Sequence, residues 1–216
     1  AFEMAEFLCE SGEYSVIGID SVAALVTEAE LDGDYDKQHM APLAKLMSQG
    51  LRKLTPIVHD SDAIVIFNNQ IRTRPGVSFG NPEYQPGGRA LPFYSSVRLD
   101  VRVAERYKDD KGVQFGHRVK VQVKKNKVAA PHFTSFFNFY YRPGHHDGYG
   151  DVQAGVDIGE SYLTFATEQD FVRQVSSWYH FVDKETGEAV EKWNGKYAAA
   201  QGIMAFKDTL DKEIYR

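Results

Sequence analysis

The 216-residue chain is 43% hydrophobic and carries a formal net charge of -5 at pH 7. A chain of this length can bury one sizeable core and a small second one. No apolar stretch approaches the roughly 18 residues that a membrane-spanning helix needs, so we expect no membrane association. The only cysteine, Cys9, excludes an intrachain disulfide and a multi-cysteine zinc site. We therefore expect Cys9 to lie in the core of a cytoplasmic protein.

Periodic apolar segments in the first third of the chain predict an alternation of helices and strands, which is typical of an α/β sheet. In chain order they are a helix over 2–10, a strand over 14–19, a helix over 41–58 and a strand over 63–67. Both strands are short, mostly apolar and followed by polar residues, as buried parallel strands usually are. Because the first helical pattern is already under way at Ala1, we expect the chain to be a piece of a longer protein.

A long loop and three further strands are predicted next. Residues 73–91 are rich in Gly, Pro and Arg and have no periodicity, which predicts a functional loop. Alternating residues over 97–103 and 118–123 predict two strands with one solvated face each, and an aromatic run over 133–141 predicts a third. A Gly-, His- and Asp-rich stretch over 142–155 predicts a boundary between domains at 1–145 and 146–216. The second domain is expected to be small and to mix helices with strands.

Two polar residues at strand ends are candidates for catalytic groups. Asp20 ends the first strand, where P-loop ATPases place the acid associated with Mg²⁺, although an acid at this position can equally cap the next turn. Gln70 follows the second strand, and ligands gather at the carboxyl ends of such strands, but polar residues leaving a strand are commonplace. The phosphate-binding pattern GxxxxGK[ST] does not occur in the sequence. Its only Gly-Lys pair, Gly195-Lys196, is followed by Tyr197.

Cations, glycines and one aromatic ring are candidates for nucleic-acid contacts. The negative net charge argues against phosphate binding by the surface as a whole, but the segment 117–127 is rich in Lys and Arg and has no acid. Guanidinium and backbone N–H groups suit phosphate, and an exposed ring can stack on bases. A solvated strand face and an ordinary loop anchor are the plainer interpretations of the same residues. The candidates are Arg72, Arg74, Phe79, Gly87, Gly88 and Arg89 around the loop, and Lys124, Lys125 and Lys127 at the end of the basic strand. His145 and His146 lack a third ligand at a regular spacing and are predicted to lie in a turn.

Several segments together resemble the bacterial and phage RecA recombinases in their order and spacing. They are IDSVAAL (19–25), AELDGD (29–34), LMSQGLRKL (46–54), IFNNQIR (66–72), GVSFGNPE (76–83), GGRALPFYSSVRLDVR (87–102) and VKKNKVAAP (123–131). The succession of FGNPE, GGRAL and FYSSVRLD is highly specific to this family. The resemblance is close over residues 1–141 and weaker beyond, and residues 142–168 depart from the family pattern. It implies an α/β fold: a RecA-like P-loop ATPase core with a mostly parallel central sheet flanked by helices, its N-terminal part missing, and a small C-terminal α/β domain.

The resemblance also implies roles in a nucleotide site that uses ATP and Mg²⁺. Asp20 falls on the acid associated with Mg²⁺, and Ser21 lies beside it in the nucleotide site. Gln70 falls on the residue that senses the γ-phosphate and passes this signal to the DNA-binding loop that follows. Lys125 and Lys127 fall on lysines that reach a nucleotide bound by the adjacent subunit, and Phe93 falls on an aromatic residue of the same subunit interface.

DNA contacts are implied in two regions. The first region contains Met40, Ser48 and Arg52. The second region runs from Arg72 to Arg89 and includes Arg74, Phe79 and the backbone-contact positions Gly87 and Gly88.

The intact protein is therefore expected to self-associate into helical filaments on single-stranded DNA and to exchange strands with a homologous duplex. One alternative is a non-catalytic DNA-binding module without the phosphate loop, which regulates filaments through the interface around Phe93. Another is a hexameric helicase-like motor on the same fold, against which the FGNPE and GGRAL segments argue. Because the sheet would lack its N-terminal strands, we also expect an exposed edge, an exposed apolar face and poor solubility.

Overall fold

The computed structural model describes residues 1–27, 40–147 and 149–214, without the side chains of Met40 and Ala41. The chain contains two compact units, Ala1–Ser96 and Val97–Arg216. These units are defined by their compactness, and the division into domains at residues 145 and 146 stays a prediction. No helix among the described residues is long and apolar enough to cross a membrane.

The first unit is built on a pair of parallel strands covered on one face by helices. Its elements are α1 (Phe2–Ser11), β1 (Val16–Asp20), a 3₁₀ turn (Val22–Ala24), α2 (Met40–Asp60), β2 (Ile64–Asn68), β3 (Arg72–Thr73), β4 (Glu83–Tyr84) and α3 (Ala90–Tyr94). β1 and β2 pair in register from Val16 opposite Ile64 to Asp20 opposite Asn68. The four segments predicted over the first third of the chain are confirmed in type and, within a few residues, in extent.

Alternation along the two parallel strands decides which side chains form the core. Ile17 packs with Cys9 of α1 and Leu54 of α2 in a buried cluster, which confirms the core position predicted for the cysteine. On the opposite face, Ile64 and Ile66 are more than half exposed. One face of this pair is therefore a packed core and the other is an open apolar surface.

The described residues of the second unit form three antiparallel sheets and three helices. Its elements are β5 (Val97–Lys108), β6 (Gln114–Asn126), β7 (Thr134–Tyr140), β8 (Gly144–His146), β9 (Gly150–Val152), β10 (Gly155–Val156), α4 (Ile158–Glu168), β11 (Val172–Val175), β12 (Trp178–Val182), β13 (Ala189–Asn194), α5 (Lys196–Gly202), a 3₁₀ turn (Ile203–Phe206) and α6 (Lys207–Ile214). The largest sheet has the strand order β10-β7-β6-β5, the second has the order β11-β12-β13, and β8 and β9 form a two-stranded sheet. The predicted strands over 97–103 and 118–123 are confirmed but are longer than the alternation indicated.

The two long strands extend beyond their alternating segments because a short loop joins them tightly. The carboxylate oxygen Oδ1 of Asp109 accepts hydrogen bonds from the backbone N–H groups of Lys111 and Val113. These bonds close the hairpin and let Lys108 pair with Gln114. Among the described residues the only parallel pair is β1–β2, so the larger, mostly parallel central sheet stays a prediction.

Candidate functional site

The carboxyl ends of β1 and β2 bring an acid and an amide into contact. Asp20 and Asn68 are the last residues of the two strands and lie opposite each other in the register. The side-chain Nδ2 of Asn68 donates a hydrogen bond of 2.8 Å to Oδ1 of Asp20. Both side chains are exposed, and Ser21 is half-buried beside them. The structure thus places Asp20 at an accessible sheet edge, where a metal-bound ligand could approach it.

The residues after β2 connect this edge to the long loop. Asn69 donates a hydrogen bond of 3.0 Å from Nδ2 to the carbonyl oxygen of Pro86. Its Oδ1 accepts a hydrogen bond of 2.9 Å from the backbone N–H of Gln70. The Gln70 side chain is exposed. Gln70 therefore has a fixed backbone and a side chain that can reach an outside ligand.

The loop predicted over 73–91 begins as an exposed β-hairpin. β3 and β4 pair antiparallel, and the N–H of Arg74 donates a hydrogen bond to the carbonyl of Pro82. The guanidinium of Arg74 lies 5.0 Å from the centre of the Tyr84 ring, a cation–π contact. Every residue from 71 to 81 is exposed, and Phe79 is 97% exposed. A ring this exposed does not anchor the loop to a core, so the plainer interpretation of Phe79 is wrong.

The hairpin leads into a glycine pair that packs on α2. Gly87 is buried and has φ 85°, and a Cβ there would lie 3.0 Å from Met47 Cγ and from Val22 Cγ1. Gly88 has φ 75° and approaches Ala44 equally closely. Both glycines are thus required by backbone conformation and by close packing, whatever they bind. Arg89 follows at the N-terminus of α3 and is exposed.

The other proposed DNA-contacting residues of the first unit lie on α2. Ser48 and Arg52 are one turn apart, half-buried and exposed respectively, so they share a face of the helix. Met40 starts the helix, but its side chain lies outside the described residues. Phe93 on α3 is 73% exposed and has an edge-to-face contact with Tyr94. Such an exposed aromatic ring suits a contact with another molecule.

Lys125 and Lys127 lie at the end of β6, in the second unit. Lys125 stands opposite Arg98 of β5. Partial burial, together with the positive charges of Lys127 and Arg98, lowers the pKa of Lys125. Lys124, which is also exposed, lies 3.9 Å from Asp100 in an ion pair. The cluster of cations therefore includes at least one lysine, Lys124, that is paired with an acid of β5.

The remaining sequence candidates form parts of the second unit's framework. Lys196 forms an ion pair with buried Glu160, so the Gly195-Lys196 pair is not a phosphate-binding loop. His145 and His146 lie on β8, so their prediction as turn residues was wrong. His146 Nδ1 is 2.9 Å from the hydroxyl of Tyr140. No cluster of three or more His, Cys, Asp or Glu in the described ranges could hold a metal ion.

Comparison with known proteins identifies the family. The RecA N-terminal domain model matches residues 1–146. The chain belongs to the RecA family. Protein RecA of Bacillus subtilis (strain 168) is 45% identical over 212 residues, covering 97% of this chain and 55% of that protein. Protein RecA of Chlamydia caviae is 40% identical over 218 residues, covering 100% and 57%, and that of Halalkalibacterium halodurans is 46% identical over 191 residues, covering 88% and 51%. The chain thus spans little more than half the length of the RecA proteins that it matches.

Two members of the site were not singled out from the sequence. Asn68 and Asn69 were treated only as polar residues that end a strand, yet each bonds a different neighbour in the structure. The available signal was the run of three amides, Asn68-Asn69-Gln70, directly after an apolar strand. Amide side chains that both donate and accept are well suited to connect backbone segments at such an edge.

Proposed function

We propose that this chain is the part of a DNA-dependent ATPase and recombinase that reads nucleotide state and binds single-stranded DNA. One observation carries the proposal: β2, whose last residue Asn68 lies opposite Asp20, continues through Gln70 directly into an exposed hairpin with arginines and the exposed ring of Phe79. A ligand at the sheet edge and a ligand on the hairpin would thus contact the same continuous segment. The membership of the RecA family supports the same activity.

The residues at the edge fit a Mg²⁺–ATP complex that is held largely by other groups. Mg²⁺ prefers carboxylate oxygens, usually keeps several waters and is completed by the phosphates of the nucleotide. Asp20 offers one accessible carboxylate with one oxygen already fixed by Asn68. We propose that Asp20 orients the water shell of the ion, that Ser21 lines the same site and that Gln70 contacts the terminal phosphate. The bound nucleotide supplies the charge whose presence or loss these side chains detect.

The hairpin and α2 would hold the DNA. Arg72, Arg74 and Arg89 suit phosphate contacts, because a guanidinium donates several hydrogen bonds in a fixed plane. Phe79 can stack on or wedge between bases. The backbone N–H groups of Gly87 and Gly88 and the side chains of Met40, Ser48 and Arg52 would complete the binding surface.

Filament formation would join two subunits at the nucleotide. We propose that Lys125 and Lys127 of one subunit reach the phosphates bound by the next and that Phe93 packs at the same interface. Cations that arrive only when subunits are aligned can stabilise the phosphate charge of the reacting state. Alignment on single-stranded DNA would then switch on hydrolysis, and pairing with a homologous duplex would follow in the cytoplasm.

Fluorescence anisotropy of labelled oligothymidylate tests this function. The protein encoded by the longest open reading frame containing this chain is expected to bind DNA more tightly with a non-hydrolysable ATP analogue. Gln70→Ala should keep the weaker binding and lose the effect of the analogue. Phe79→Ala should weaken binding both with and without it, since stacking of a base contributes about 1–3 kcal/mol.

The 216-residue chain provides the second arm of the test. Tight binding by this chain without any response to nucleotide, together with no response in the longer protein, would favour the non-catalytic module. Ring-shaped particles in electron micrographs would favour the helicase-like motor instead. Unchanged analogue-dependent binding in Gln70→Ala would contradict the role proposed for this residue.

A further inference from the structure

The three amides at the end of β2 have different surroundings. Asn68 bonds to Asp20 on the neighbouring strand, Asn69 bonds to the carbonyl of Pro86, and the exposed side chain of Gln70 faces outward. Asn69 is therefore the residue that connects the strand end to the far side of the hairpin. Its hydrogen bond of 3.0 Å joins two residues that are 17 positions apart in the chain.

The segment that Asn69 holds is itself fixed on the site. Pro86 precedes Gly87, which packs closely against Val22, and Val22 lies two residues after Asp20. These contacts close a ring. Hydrogen bonds join Asp20 to Asn68 and Asn69 to Pro86, packing joins Gly87 to Val22, and the remaining links are along the chain. Displacement of any one member must strain or break a neighbouring contact in this ring.

We propose that Asn69 is a positioning residue that makes Gln70 and the glycine segment 87–88 move as one body. This inference rests on the proposed function, because it explains how a contact at Gln70 would reach the DNA-binding surface. Asn69 touches neither ligand. It acts by accepting the N–H of Gln70 on Oδ1 and donating from Nδ2 to the exit of the hairpin.

The rest of the hairpin offers no comparable connection at its base. β3 and β4 are two residues long each, and the residues between 71 and 81 are all exposed. Two-stranded hairpins are marginally stable by themselves. The two sides of the hairpin are also joined by the hydrogen bond from the N–H of Arg74 to Pro82 and by the contact of Arg74 with Tyr84. Asn69 differs from these contacts because it bonds the backbone of Gln70 itself.

Three variants separate this role from a general effect on the hairpin. Asn69→Ala removes both hydrogen bonds, whereas Asn69→Asp keeps an oxygen for the N–H of Gln70 and cannot donate to Pro86. Asn81→Ala is the matched control, because Asn81 also bonds a backbone N–H of the hairpin, that of Glu83, but at the far end. Both positions carry an asparagine on the same segment of the chain.

The first readout is amide hydrogen exchange of the 216-residue chain, measured by mass spectrometry over residues 85–91. Both Asn69 variants are expected to exchange faster there than the wild type, and Asn81→Ala is expected to leave the rate unchanged. Unchanged exchange in both Asn69 variants would overturn the proposal, and this readout requires neither DNA nor nucleotide.

The second readout is the ratio of the DNA affinities with and without the ATP analogue, measured on the protein encoded by the longest open reading frame. Asn69→Ala should lower this ratio by roughly 30-fold, the size expected for the loss of two ordinary hydrogen bonds of about 1 kcal/mol each. Asn69→Asp should give a smaller loss. Faster exchange with an unchanged ratio would overturn the positioning role. A wild-type protein whose DNA affinity ignores the analogue would instead overturn the proposed function itself.

Discussion

Replacement of Gly87 by alanine tests whether the glycine segment is docked on α2. The backbone at Gly87 has φ 85°, a conformation that costs an L-residue about 1–2 kcal/mol. The new Cβ would lie 3.0 Å from side-chain atoms of Met47 and Val22, both of which are fully buried. Overpacking of this kind adds about 1 kcal/mol or more. We therefore expect Gly87→Ala to destabilise the first unit by about 2–3 kcal/mol.

Gly80 provides the matched control, since it lies in the same loop and differs only in its surroundings. Its φ is 86°, but a Cβ there would meet nothing within 4 Å. Gly80→Ala should therefore cost at most the backbone contribution, about 1–2 kcal/mol. The difference between the two variants isolates the packing of the glycine segment.

Urea unfolding followed by two signals measures the effect. Both tryptophans, Trp178 and Trp193, lie in the second unit, so their fluorescence reports on that unit, whereas far-ultraviolet circular dichroism also follows α1 and α2. Gly87→Ala should lower the midpoint of the dichroism transition clearly more than Gly80→Ala does. Equal shifts for the two variants, or a shift confined to the fluorescence signal, would refute the packing argument.

Three further predictions concern the second unit and the open sheet face. Lys196→Ala should lower the free energy of unfolding in urea by about 2 kcal/mol, because buried Glu160 loses its partner. Lys192→Ala, at an exposed position, should lower it little, and equal effects of the two variants would contradict the prediction. Burial lowers the pKa of His146 below 6.5, so the unfolded chain binds a proton more readily than the folded chain does. The free energy of unfolding should therefore fall as the pH drops below 6.5. Thermal unfolding at several pH values should show a weaker pH dependence for His146→Asn than for the wild type. Val101 on β5 is 59% exposed, beside exposed Leu99 and Val103, and Val101→Lys should reduce self-association in light scattering. Unchanged scattering would show that this face of β5 is not the one that associates.

Strands and helices that bury one face were predictable because their periodicity is set by that burial. Ile17 and Leu54 are core residues in the structure, as their spacing indicated. The longer extent of β5 and β6 was not predictable, because it depends on the loop closed by Asp109 and on partners distant in sequence. The strand around His146 was missed for the same reason. β8 is a short strand defined by its pairing with β9, and its sequence has no alternation of apolar and polar residues.

The candidate site was predictable only in part, for a related reason. Asp20 and Gln70 stood out because both follow apolar runs, which is a local signal. The functions of Asn68 and Asn69 depend on which atoms the fold brings near their amides, and a sequence alone does not show this. Gly87 and Gly88 were predicted as ligand contacts, whereas the structure gives them an additional reason to be glycine, their close packing on α2.

If the hairpin binds DNA as proposed, its exposed tip and its fixed base give a route by which a change at the sheet edge would reach that DNA. The tip has no core of its own, so its conformation must follow from its base and from whatever it binds. The base is held at Gln70 by Asn69 and at Gly87 by contacts with α2, which also bears Arg52. A tip that is free while its base is fixed can adapt to an irregular polymer such as single-stranded DNA. In the proposed function, the base is then the part of the hairpin through which a nucleotide at the sheet edge would control that adaptation.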